Sequence, residues 1–253
     1  MTVLAVEHLT KSFGGVRAVA DVSFALGAGE VLALIGPNGA GKSTCFNLIN
    51  GQLKPDAGSV RFERRDITGL PPRKIWRLGV GRTFQITATF ASMTVRENVQ
   101  MALLSYHRRL WSWWRPAESF YSEAAEKLLQ QVGMAEQGDR ACGLLAYGDL
   151  KRVELAIALA NEPRLLLMDE PTAGMAPRER VALMELTRQI VRQRHIAVLF
   201  TEHDMDVVFA HADRILVLNR GRLVAEGKPA EVRADRNVQE AYLGSGTTFG
   251  GRP

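Results

Sequence analysis

The sequence predicts an α/β fold, and three observations carry that reading. Short, wholly apolar runs at residues 31–35, 165–168 and 196–200 each stop at glycine or polar residues, as buried parallel strands do. Helical patterns lie between them, one of which opens at Pro177 and runs through Met184 and Ile190. The third observation is a change of period. From Thr94 to about Asn161 strand-like alternation disappears, and apolar residues recur at helical spacing in Val95, Val99 and Leu103, then in Ala125, Leu128, Leu129 and Val132. An α/β core with an inserted α-helical subdomain at about 94–161 accounts for all three.

The elements follow in order. Residues 3–9 and 22–26 are rich in branched side chains and bounded by glycines, so they read as strands of an antiparallel β subdomain at one edge. The apolar pentamer 31–35 feeds a glycine-rich loop, then a helix at 42–50 that Gly51 stops. A turn at 54–58 leads to a strand at 59–62, Pro71 and Pro72 open a helical turn through Trp76, and 79–84 is a further strand. Residues 149–159 close the helical insert. Asp204 caps a helix, and 215–218 pairs with 222–225 across Asn219, Arg220 and Gly221, a hairpin signal. A single domain is expected over 1–244, with a flexible Gly- and Thr-rich tail at 245–253.

Composition bounds the function. Among 253 residues 46% are hydrophobic and 23% charged, the profile of a chain that folds, not of a disordered one. Lys plus Arg number 32 against 27 Asp plus Glu, and the resulting +5 is spread without a basic block. It reads as a solvated surface, and no nucleic-acid partner is expected. Cys45 and Cys142 stand alone, which suits a reducing compartment and supplies no thiolate metal site. The amino end lacks a signal-peptide pattern and no apolar run reaches 18 residues, so any work at a membrane is expected through a partner. Trp111, Trp113 and Trp114 cluster with Arg108, Arg109 and Arg115, which suits a loop packed on its own helices or an interface near a membrane.

Gly36, Pro37, Asn38, Gly39, Ala40, Gly41, Lys42 and Ser43 satisfy G-x-x-x-x-G-K-[ST], and Thr44 continues the segment into the helix. Backbone N–H groups can wrap a phosphate only where side chains do not obstruct them, and the helix start adds a favourable dipole. Lys42 is placed to reach the β and γ phosphates of a nucleotide, and the Ser43 hydroxyl to hold Mg²⁺. The fold expected is thus a P-loop NTPase core with the antiparallel β subdomain and the inserted α-helical subdomain.

Asp169 and Glu170 follow the apolar run 165–168, at the strand edge where open α/β sheets place ligands. An acid in that position is often only a solvated cap. Beside a phosphate loop it gains a task, because Mg²⁺ needs oxygen ligands and Ser43 supplies one. Asp169 is fit for the metal or its water, and Glu170 for polarising an attacking water.

These two motifs together resemble the ATP-binding cassette (ABC) transporter ATPases. Phe13 matches that family's adenine-stacking aromatic. Gln85 matches the loop glutamine that contacts Mg²⁺ and senses the membrane partner. Leu145, Ala146, Tyr147, Gly148 and Asp149 look like the signature segment, and His203 like the switch histidine that contacts the γ phosphate. The nearer resemblance is to the ATPase subunits of branched-chain amino acid importers, through Thr83 to Gln85, the stretch 93–98, the signature form, 202–205 and 241–244. The resemblance implies ATP and Mg²⁺ as cofactors and ATP hydrolysis coupled to import. The implied partners are permease subunits, a second ATPase subunit arranged head to tail, and an extracytoplasmic solute-binding protein. The implied place is the cytoplasmic face of the membrane. An importer of urea, amides or other solutes, a soluble ATPase acting on nucleic acid or the ribosome, and a weakly active regulatory subunit stay open.

Three positions depart from the family pattern. Asp149 stands where Gln is usual, Ala146 where Ser is usual, and Ala176 where Asp or Asn is expected. A carboxylate at 149 would oppose phosphate charge unless it points away or is paired.

Overall fold

The computed structural model describes residues 1–83, 89–107, 121–236, 238 and 239. Two sheets pack on either side of one apolar cluster, and the larger sheet faces a second cluster on its other side. The larger has six strands in the order β10-β9-β3-β8-β7-β6. These are β3 (Val31–Ile35), β6 (Val80–Thr83), β7 (Leu165–Asp169), β8 (Ala197–Thr201), β9 (Arg214–Asn219) and β10 (Arg222–Gly227). All neighbours are parallel except the β9/β10 hairpin at one edge.

Burial on both faces explains the continuous apolar runs. Ala33, Ile35, Leu166, Met168, Val198 and Phe200 enter one apolar cluster, while Leu32, Leu34, Leu165, Leu167, Ala197 and Leu199 enter the other. Alternate residues of one strand thus point to opposite layers, and a polar residue at either would lie in a core. On the first face lie α3 (Val95–Tyr106), α4 (Ser122–Gln131), α5 (Tyr147–Leu159), α6 (Pro177–Arg194) and α7 (Met205–His211). On the second lie α1 (Lys42–Ile49) and the smaller sheet.

That sheet is antiparallel in the order β2-β1-β4-β5, from β1 (Thr2–Phe13), β2 (Val16–Gly27), β4 (Ala57–Phe62) and β5 (Arg65–Asp66). The first two strands run well beyond the expected 3–9 and 22–26. Register shifts between Val6 and Leu9 and between Leu9 and Lys11 break the alternation that sequence reading depends on. The short α2 (Pro72–Arg77) and α8 (Pro229–Ala234) complete the elements, the second unexpected from sequence.

Only helices α3 to α5 and two 3₁₀ turns, 135–137 and 142–144, are described between β6 and β7. Thr94 starts α3 with a capping box, its hydroxyl accepting the Glu97 N–H while the Glu97 carboxylate accepts the Thr94 N–H. Asn98, 3% exposed, binds the segment ahead of it by accepting from the Phe90 N–H and donating to the carbonyls of Phe90 and Thr94. No described helix is long and apolar enough to cross a membrane. Trp111, Trp113, Trp114 and the arginines beside them, and residues 241–244, lie outside the described residues.

Candidate active site

The carboxyl ends of β3, β8 and β7, three adjacent strands, deliver the site. From β3 the chain enters the loop 36–41 and then α1. Gly36, Gly39 and Gly41 all have positive φ, at 155°, 78° and 105°. A Cβ on Gly41 would lie 2.2 Å from the Ala18 carbonyl oxygen, so glycine is needed there for space as well as conformation. Gly39 is open, with nothing within 4 Å of an added Cβ.

Lys42 is 7% exposed and folds back over the loop, donating to the carbonyls of Gly36 at 2.7 Å and Pro37 at 3.1 Å. Burial pushes its amine below the ordinary lysine value, and the Glu170 and Asp169 carboxylates oppose that shift. Asn38, Gly39, Ala40, Gly41, Ser43 and Thr44 line a cleft of about 230 Å³ that Glu170 and His203 also face.

Asp169 ends β7. Its Oδ1 accepts the Thr201 hydroxyl at 2.7 Å, and its Oδ2 lies 3.8 Å from Nη2 of Arg82. Burial lowers the Arg82 guanidinium, and Asp169 opposes that too. Glu170 has φ 48°, a conformation uncommon for a residue with a side chain. Its N–H is held by the Thr201 carbonyl and hydroxyl, both at 3.1 Å. Its Oε1 lies 2.8 Å from Nε2 of His203. An ionised carboxylate only accepts, so this bond places a proton on Nε2.

His203 follows β8 and is steadied by Glu202, which sequence reasoning did not single out. Glu202 is 4% exposed; its Oε1 accepts the N–H and hydroxyl of Thr172 at 2.8 and 2.6 Å, and its Oε2 accepts the His203 N–H at 3.1 Å. Thr201 was likewise passed over. The available signal was position: both directly follow the apolar run 196–200, at the edge that carries the site.

The structure brings Lys42, Ser43, Thr44, Glu170 and His203 to one cleft but leaves other expected residues apart from it. Phe13 ends β1, 47% exposed, with Nζ of Lys11 5.7 Å from its ring centre. The cleft-lining residue from the β1/β2 hairpin is Ala18. Tyr147 and Gly148 open α5 and do not line the cleft. Asp149 points into the helical layer, its Oδ2 accepting from Nε2 of Gln137 at 3.3 Å, a neutral amide that hydrogen-bonds the carboxylate without balancing its charge. Gln85 lies outside the described residues.

The residues present fit a nucleotide and Mg²⁺. No group of three His, Cys, Asp or Glu suited to a metal occurs among the described residues, so a cation here would depend on phosphate oxygens together with Ser43 and Asp169. A glycine cradle after β3, a cation folded over it and two carboxylates at the end of β7 supply that arrangement.

Comparison with known proteins decides the family. The ABC transporter family model matches residues 19–173, more than half of the chain. The chain belongs to the ABC transporter ATPases. A second model, described as branched-chain amino acid ATP-binding cassette transporter, matches residues 222–247 of this ATPase. It is 40% identical over 251 residues to the high-affinity branched-chain amino acid transport ATP-binding protein LivG of Salmonella typhimurium, covering 95% of this chain and 97% of that one. It is 38% identical to BraF of Pseudomonas aeruginosa, a protein of the same description, over 96% and 98%.

Among solved structures, an ATP-binding cassette of an ABC transporter in its ADP conformation superposes with a TM-score of 0.87 at 35% identity, over 96% of this chain and 99% of that one. A nucleotide-free cassette gives 0.85 at 34% identity over the same shares. A dimeric cassette in a post-hydrolysis state, bound to ADP and phosphate, gives 0.75 at 25% identity, over 89% of this chain and 98% of that one.

Proposed function

We propose that this ATPase powers a membrane importer of branched-chain or related amino acids from the cytoplasmic face. The observation that carries the reading is the meeting of Lys42, Ser43, Glu170 and His203 in one cleft at the ends of adjacent strands. The match of residues 222–247 and the names of the relatives support the solute class.

The phosphates of ATP rest on the backbone N–H groups of 38–44, and Lys42 exchanges its two loop carbonyls for phosphate oxygens. Mg²⁺, held by Ser43, Gln85 and Asp169, offsets charge on the phosphates when bound. Glu170 orients the attacking water and takes up its proton, while His203 holds the Glu170 carboxylate with its Nε2 N–H at the edge of the cleft that the γ phosphate enters. Phe13 stacks on adenine.

Tyr147 and Gly148 stand apart from their own cleft, which supports a head-to-tail dimer in which they close on the partner subunit's nucleotide. The dimeric cassette among the solved structures supports the same assembly. Permease subunits are the membrane partners, with an extracytoplasmic solute-binding protein delivering the cargo. A second, mainly apolar cleft of about 310 Å³ lies between α2, α3 and α5 and reaches Arg82, three residues before Gln85. Its largely apolar lining suits the side chains of a docked permease segment.

Two measurements test the proposal. Purified wild type releases phosphate from Mg-ATP and E170Q does not; equal rates overturn the assigned chemistry. Cells lacking the chain regain leucine uptake with wild type but not with E170Q. Regained uptake of urea or an amide instead moves the solute class.

A further inference from the structure

Two consecutive residues of the signature segment touch the stretch of the same chain that follows Glu170. The Tyr147 ring stands over Gly174: a Cβ added there would lie 3.4 Å from Cε1 and 3.8 Å from Cζ of Tyr147. Gly148 meets Glu179, and a Cβ on Gly148 would lie 3.0 Å from both Cδ and Oε1 of that carboxylate. Glu179 also reaches back along its own helix, its Oε2 accepting the Ala176 N–H at 3.3 Å. One side chain therefore closes the end of the loop that starts at Glu170 and packs against the first turn of α5.

The placement is electrostatically favourable, because an anion beside the amino end of a helix meets partial positive charge. It is also a close fit, since even a methyl at position 148 would press the carboxylate aside by a few tenths of an ångström. Ala176 has no polar side chain of its own with which to fix this loop, and Glu179 supplies the contact that position lacks.

We infer that Glu179 is a positioning residue, clamping the loop after Glu170 to the signature segment so that both faces of one subunit move as a unit. The inference rests on the dimer reading of the proposed function. In that dimer Glu170 serves the subunit's own nucleotide and Gly148 the partner's, so a clamp between them ties the two composite sites together. Loosening it weakens dimer closure and leaves capture of ATP by the subunit's own loop alone.

The test uses the full chain in an E170Q background, where bound ATP is not consumed. Sedimentation gives the ATP-dependent dimer constant, and a fluorescent ATP analogue gives monomer affinity. With E179A added, the dimer constant weakens about tenfold while analogue affinity stays within about twofold, as expected for lost geometry at a distance from the bound ligand. E179Q, which keeps the hydrogen bond to Ala176, restores the dimer constant to within about threefold. Thermal melting of each variant separates this from unfolding, since Glu179 is exposed and its loss leaves no cavity. An unchanged dimer constant in E179A overturns the clamp, as does an E179A that binds the analogue more weakly in step with its dimer. If E170Q alone forms no ATP-dependent dimer, the dimer reading itself falls, and the clamp with it.

Discussion

Nε2 of His203 lies 2.8 Å from Oε1 of Glu170, joining the ends of β8 and β7 across the cleft. The imidazole side chain is half exposed, whereas the carboxylate is only 18% exposed. A carboxylate turned toward a histidine N–H has a fixed direction, and water aligned by it inherits that direction.

The pair is expected to act as one catalytic unit. E170Q lowers kcat for phosphate release by about 100-fold or more, in the range for a positioned acid–base group. H203A lowers it by about 10- to 100-fold because the carboxylate then loses its orienting partner. The double variant is no slower than E170Q by more than about threefold, since residues acting together do not add. Single-turnover phosphate release checks all three, and fully multiplicative losses would show that the two residues act separately.

Glu202 supports that unit from below. Its buried carboxylate accepts three donors, two from Thr172 and one from the His203 backbone. Glu202→Gln turns an amide NH₂ toward at least one of these donors, so a buried N–H or O–H loses its acceptor. The expected loss is about 1–3 kcal/mol of stability. The kcat falls with it, because both the 172 loop and His203 lose their anchor. Urea unfolding midpoints and phosphate release, measured on the same preparation, decide the matter.

How much of this was legible depends on how local each feature is. The strand 31–35, the phosphate loop and the acids 169–170 are contiguous in sequence, and their residue types are dictated by burial on two faces or by phosphate geometry. The hairpin at 215–227 was legible for the same reason, through the turn at Asn219, Arg220 and Gly221. The ends of β1 and β2 were not, since His8 and Asp21 adopt positive φ and bulges interrupt the period-two pattern. Glu202, Thr201 and Glu179 were missed because their partners lie up to about 30 residues away, and nothing local in a glutamate predicts a Thr172 or a Gly148 across the fold. The hydrogen bond to Asp149 was invisible for that reason too; only the packing of Gln137 beside α5 reveals it.

Two glycines of the phosphate loop should respond differently to alanine. At Gly41 an added Cβ lies 2.2 Å from the Ala18 carbonyl oxygen at φ 105°, so the loop must shift away from β2. At Gly39 the space is open and only φ 78° resists. Left-handed backbone at a non-glycine residue costs roughly 1–2 kcal/mol. G39A is expected to lose about that much, and G41A clearly more, with ATP affinity falling over about tenfold because the cradle itself is displaced. Denaturant midpoints and nucleotide titration of both variants give the comparison. Equal destabilisation would mean the β2 contact yields without cost.

Cys45, on the buried side of α1, gives a pH prediction with a definite sign. Burial raises its thiol from 9.0 to about 12, because the thiolate would lose its hydration with no cation to replace it. Below pH 9 the thiol is protonated in both the folded and unfolded chain, and its contribution to stability is fully present. Between pH 9 and about 12 the unfolded chain gives up this proton while the folded chain retains it. The unfolded state then binds fewer protons, so stability falls as pH rises across that window. C45A removes the titration. Its midpoint is lower at pH 8 by the cost of a small cavity, about 1 kcal/mol, but its slope between pH 9 and 10.5 is shallower than that of wild type. Urea midpoints at half-unit pH steps measure both slopes, and parallel curves would show that the Cys45 thiol ionises as readily in the folded chain as in the unfolded one.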